Sequence, residues 1–241
     1  MNKKMVSHKV ISLFLLMPLA SMAEPSINSD PRHLEIFNSW NFCIYCNLND
    51  ELLSPETLYG RYHRNANISA SYVYDTTMDN LDLTFAFMYS IRGERFAIKN
   101  SEVEMINLTY SDLPYFTFTG NEGKLVNFTG SGLNYGNLTN AQLDYPIFSE
   151  TSLIETNFSG AQFNHARFNR TRMTDANLSH THLVQADFTD ADLVRADFTG
   201  AVIENSNFTR ADLSNAKITE QQLATSIICD AILPDGSLGE C

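Results

Sequence analysis

The sequence holds little of what catalytic centres are assembled from. It has no glycine-rich phosphate loop, no nucleophile elbow and no metal-ligand spacing. No motif for phosphoryl transfer, acyl transfer or a bound metal remains, so no enzymatic activity and no cofactor is expected. His165, His180 and His182 lie near one another in the chain, but no third ligand recurs at a matching interval. Cations are scarce too. Lys and Arg total 16 against 28 Asp and Glu, a formal net charge of −12, and nucleic acid is not an expected partner. Apolar runs are short. The longest, from Val10 to Ala20, is interrupted by Pro18 and falls below the length that spans a bilayer.

That apolar run is the centre of a secretory signal. Lys3, Lys4 and Lys9 supply a basic start, and Ser21-Met22-Ala23 supplies a small-x-small cleavage site. Residues 1–23 are therefore expected to be a signal peptide, and the product to be exported, either periplasmic or secreted. The remaining charge is unevenly spread. Residues 24–159 carry 17 acids and 7 bases, whereas residues 160–219 carry 7 acids and 6 bases.

What the sequence does have is a period of five. From Leu53 to Leu233 every fifth residue is Leu, Ile, Val, Met or Phe, except His63, Gly93 and Gly123. Neither a strand nor a helix has that period, so it marks a repeat architecture. If four such units close one coil, residues 20 apart stack at about 4.8 Å. Phe128, Phe148, Phe168, Phe188 and Phe208 then form one internal column. The residue two before each centre also points inward and must be small. From 161 to 216 it is only Ala, Thr or Ser, whereas Leu81, Ile91, Phe96, Ile106, Phe116 and Val126 break the rule upstream. Phe96 and Phe116 should stack in a widened or distorted wall, and Gly93 and Gly123 should mark bulges or short loops.

Units such as Ala186-Asp187-Phe188-Thr189-Asp190 and Ala211-Asp212-Leu213-Ser214-Asn215 resemble those of the pentapeptide-repeat family, A(D/N)LXX. The resemblance runs from about Cys46 to Leu233. It implies an all-β fold, a right-handed quadrilateral β-helix. About eight coils would make a rod roughly 40 Å long, with short helical caps at both ends. The expected division is 1–23 signal peptide, 24–45 N-terminal cap, 46–218 β-helix and 219–241 C-terminal cap. Asp30 and Pro31 suit a helix start. Thr219 with Gln222 reads as a capping box, although the five-residue register also continues through Leu223 and Ile228.

In an exported rod, Cys43 and Cys46 lie at one end and Cys229 and Cys241 at the other. The expected disulfides are therefore Cys43–Cys46 and Cys229–Cys241; a redox role for Cys43-x-x-Cys46 is the weaker reading. Charges 20 apart should stitch coils together: Arg170, Asp190 and Arg210, and the pairs Asp175–Arg195, Arg167–Asp187 and Arg172–Asp192.

Outward positions of the first half carry aromatics: Tyr72, Tyr74, Phe85, Phe87, Tyr89, Tyr110, Tyr115, Tyr135 and Tyr145. They are either a partner surface or a cover for an irregular wall. The expected function is a non-catalytic exported scaffold that binds a protein partner or itself. The resemblance also implies an alternative. Some family members mimic B-form DNA, bind DNA gyrase and protect it from quinolones; the nearly neutral C-terminal half and the export signal speak against that role here. A third alternative is an enzyme or metal binder using the irregular stretch 85–125.

Overall fold

The computed structural model describes the backbone of residues 52–53 and 57–59, and residues 64–241 in full. The expected signal peptide, N-terminal cap and Cys43–Cys46 disulfide lie outside the described residues. Among those described, no helix is long and apolar enough to cross a membrane.

The chain winds as a quadrilateral parallel β-helix with 20 residues to the coil. Four ladders of parallel bridges run along it, each stepping by 20; one leads from Asn67 to Ile227 and another from Asp82 to Val202. Wall one holds residues 81–85 and their equivalents 20 residues away. Walls two, three and four start at 86, 91 and 96. The bridging residue is the one before each apolar centre. Most bridges are isolated, and short strands form only in the first half. They are β1 (Leu52–Leu53), β2 (Thr57–Tyr59), β3 (Tyr72–Tyr74), β4 (Thr77–Asp79) and β5 (Arg92–Glu94). β6 (Ala97–Lys99), β7 (Thr117–Thr119), β8 (Glu122–Lys124) and β9 (Gln142–Asp144) follow.

Each position of the repeat has its own physical task. The centre and the residue two before it are buried, forming one continuous core. An Asp or Asn before the centre caps its own turn: the Thr109 N–H donates to Asn107 Oδ1 at 3.0 Å, and the same bond recurs at Thr189–Asp187 and Ser214–Asp212. The residue two after the centre turns the corner in the left-handed region, with φ near +55° from Asn65 through Asn215. With the central carbonyl accepting from the N–H three residues on, as in Leu193 to Ala196 at 3.0 Å, this is a type II turn. None of β3 to β9 has Asn or Asp before its centre. That absence does not by itself make a strand, since Glu102, Arg167 and Arg172 also stand before a centre and form isolated bridges.

Register is never lost there. Gly93 lies inside β5 opposite Val73, and Gly123 inside β8 opposite Leu143. The bulges or loops expected at these glycines are absent. A Cβ at Gly93 would stand 1.6 Å from the Val73 carbonyl oxygen, so glycine is there to let two coils approach. Phe96 and Phe116 do stack, at 5.6 Å. The column from Phe128 to Phe208 is a ladder with centroids 4.7–4.9 Å apart. Phe158 and Phe198 pack edge-on against it. Polar inward groups are satisfied across coils. The Asn121 amide donates to the Ile98 carbonyl at 2.8 Å and accepts from the Ser101 N–H at 2.9 Å.

At the C-terminal end the capping box of Thr219 and Gln222 forms, but its helix, α1 (Glu220–Leu223), lasts one turn. Bridging then resumes at Ile227 and Ile232; the apolar period outweighs the cap chemistry beyond Leu223. The last residues fold back antiparallel, pairing Leu238 with Ile232, and the Gly239 N–H donates to the Ala231 carbonyl at 2.8 Å. The Cys229–Cys241 disulfide is present and holds this strap over the edge of the final coil.

Candidate interaction surface

The four corners of the rod carry four different side-chain rows. The fourth corner is Asn80, Asn100, Gly120, Asn140, Gly160, His180 and Gly200, mostly residues that accept a left-handed backbone readily. Charge dominates the upper part of the second, with Glu150, Arg170, Asp190 and Arg210, and of the third, with Asp175 and Arg195. The first corner is different. It reads Asn65, Phe85, Met105, Leu125, Tyr145, His165, Gln185 and Asn205. An apolar side chain in the left-handed region costs about 1 kcal/mol or more, and these four remain substantially exposed. Phe85, Met105, Leu125 and Tyr145 are between 42% and 46% exposed.

Every aromatic singled out in the sequence is exposed. Tyr72 and Tyr74 project from wall three. Phe87 and Tyr89 project from wall two, beside Phe85. Tyr110 stands at the second corner, where its ring covers Gly130. Tyr115 and Tyr135 stack at the third corner, centroids 5.3 Å apart. The aromatics therefore do not form one patch. The continuous feature is the first-corner row, which includes two residues the sequence reading passed over, Met105 and Leu125. Reading every twentieth residue at the position two past the centre finds both.

On the other side of this corner, wall one is acidic. Glu102 bridges Asp82 and Glu122, stacking three carboxylates along the rod, with Glu104 alongside in the same wall. Arg64 pairs with Asp82, and Lys124 with Asp144 at 3.8 Å. Among the described residues, Glu102, Glu104 and Glu122 have no ion-pair partner. Two open hollows of about 560 and 570 Å³ lie along this wall and share Glu102 and Glu122.

Residues 141–218 match the family model described as a pentapeptide repeat region. That stretch of the chain is a pentapeptide repeat region. Among solved structures it is similar to HetL, a pentapeptide repeat protein of the cyanobacterium Nostoc sp. strain PCC 7120. That match has 19% identity and a TM-score of 0.32, and covers 73% of this chain and 92% of HetL. It is also similar to a trypsin-treated variant of QnrB1, a plasmid-mediated fluoroquinolone resistance protein. There the identity is 13% and the TM-score 0.36, with 78% of this chain and 91% of that one covered. A pentapeptide repeat protein of the Arabidopsis thaliana thylakoid lumen matches at 23% identity and a TM-score of 0.28, over 44% and 71% of the two chains. No curated protein sequence matches. The family match begins at 141, so Phe85, Met105, Leu125 and the unpaired glutamates all precede it.

In the matched segment, charge is largely neutralised. Arg195 grips Asp175 with two bonds, of 2.7 and 2.5 Å, and Arg210 grips Asp190 at 2.6 and 2.9 Å. Lys217 reaches Asp197 at 2.8 Å. The guanidinium facing each of Asp175 and Asp190 holds its carboxyl below the usual range. Lys217, helped by the Thr199 hydroxyl, brings Asp197 to about 2. Two expected pairs take other partners. Asp187 accepts from Thr189 in its own turn, and Asp192 accepts from Val194 in its own turn and from the Thr174 hydroxyl on the neighbouring coil. Arg170 contacts Glu150, at 3.3 Å, rather than Asp190.

The histidines do not converge. His165 stacks on Tyr145 at 4.3 Å, His180 lies over Gly200, and His182 projects from wall one. Among the described residues, the one group with metal-ligand proximity is Cys229, Asp230 and Cys241, and its two sulfurs are bonded to each other.

Proposed function

We propose that the protein is an exported, non-catalytic scaffold that binds a protein partner through the first half of its rod. The observation that carries this reading is the set of apolar side chains at outward positions between Tyr72 and Tyr145, all more than 40% exposed. Such groups are the usual currency of protein interfaces. Export rests on the composition of residues 1–23 and accords with a disulfide at Cys229–Cys241.

The resistance role named for QnrB1 is not carried over. Mimicry of a nucleic acid needs an unbroken acidic track, and here Asp175, Asp190 and Asp197 are each matched to a cation one coil away. Self-association through the C-terminal end is opposed by the strap that pairs with Ile232.

Affinity capture from the exported fraction, comparing the native chain with a variant carrying Tyr110→Ala and Tyr115→Ala, tests the reading. A partner retained by the native chain and lost from the variant is the expected result. Retention of nothing by either chain would overturn it.

A further inference from the structure

We infer that the first corner and wall one together form a docking groove for a cationic amphipathic helix of a partner polypeptide. This rests on the scaffold reading above and specifies the partner's chemistry. Phe85, Met105, Leu125 and Tyr145 form a row parallel to the rod axis, and Asp82, Glu102 and Glu122 form a second row three positions earlier in each coil. The two hollows lie along the acidic row.

Both rows are unfavourable in an isolated rod. The corner row places apolar side chains in a left-handed backbone and in water, where Asn65 and Asn205 hold the same corner without either conflict. In the acidic row Asp82 is paired with Arg64, but Glu102 and Glu122 stack like charges on adjacent coils, where opposite charges would stabilise. Farther along the rod, Asp175, Asp190 and Asp197 each meet an arginine or lysine one coil away. A ligand that brings cations to wall one and apolar groups to the corner relieves both conflicts at once.

The spacing favours a helix. Corner side chains recur every ~4.8 Å, close to the ~5.4 Å pitch at which one face of a helix repeats. An extended peptide repeats each face every ~6.8 Å and slips out of step within two coils. The row from Phe85 to Tyr145 is about 14 Å long, the reach of about ten helical residues. A second copy of this chain is not the occupant, because its net charge of −12 would oppose wall one.

The test uses the purified full chain and a synthetic helical peptide of about 14 residues, with Leu on one face and Lys on the other, alongside its Glu counterpart. The Lys peptide is expected to bind and the Glu peptide not to. Replacing Phe85→Asn, Met105→Asn and Leu125→Asn together should weaken binding by about tenfold or more. Asn suits the corner backbone, so folding is retained. Glu102→Gln with Glu122→Gln, measured separately, should remove most of the salt dependence of binding.

Equal binding of both peptides, or Lys-peptide affinity unchanged in both variants, overturns the inference. A natural partner captured equally well by the native chain and the corner variant overturns it too, while leaving the scaffold reading in place.

Discussion

Phe168 lies flat on Phe188, ring centroids 4.9 Å apart and planes within 4°. The pair is one rung of a column that passes through the core from Phe128 to Phe208, and each rung is supported from both sides. Phe168→Ala removes a middle rung whose neighbours cannot close the gap without breaking the coil spacing. Chemical denaturation should show a loss of about 3–5 kcal/mol, and Phe168→Leu a smaller one.

Asn121 is fully buried and bonds to two neighbouring stretches of backbone, at Ser101 and Ile98. Asn121→Ala leaves an N–H and a carbonyl unpaired inside the rod, which should cost about 1–3 kcal/mol for each group. Amide exchange at Ser101 should accelerate beyond what the global loss of stability explains.

Acid should weaken the inter-coil ion pairs. Asp197 falls from its ordinary 3.8 to about 2 because Lys217 and Thr199 favour its charged form. A folded-state value below the unfolded one gives stability that is present above about pH 4 and lost as pH falls toward 2. Asp75, Asp175 and Asp190 shift in the same direction through their arginines. The melting temperature should therefore drop across this window. Lys217→Gln should remove part of that drop, as seen in thermal unfolding at pH 5, 3.5 and 2.5.

Reducing Cys229–Cys241, or replacing Cys241→Ser, should destabilise the protein by about 2–3 kcal/mol, given the short loop that the bond closes. Gly239 and Ile228 approach so closely that a Cβ would sit 2.1 Å from the Ile228 carbonyl oxygen, so Gly239→Ala should dislodge the same strap. Either change uncovers the edge at Ile232, and sedimentation should then show concentration-dependent association.

The five-residue period made the coil register, the Phe column and the stacking of Phe96 on Phe116 legible in advance. Each depends on a residue's position modulo 20 and on simple apolar burial. Other features depend on local competition that a period does not reveal. Asp187 and Asp192 had arginines 20 residues away, yet their own turns offered nearer donors. Gly93 and Gly123 resembled interruptions because a missing side chain looks the same whether the chain bulges or two coils close up. Met105 and Leu125 were overlooked for a different reason. Neither is unusual as a residue, and their meaning comes from the left-handed corner they share with Phe85 and Tyr145.

The most direct test of where this rod makes contact is site-specific photo-crosslinking of the full chain in cells that produce it. One photoreactive residue would replace Met105, at the apolar corner, and another would replace Arg195, in the charge-paired half. A crosslinked partner is expected from position 105 and none from position 195. Equal crosslinking from both, or crosslinking from 195 alone, would contradict it.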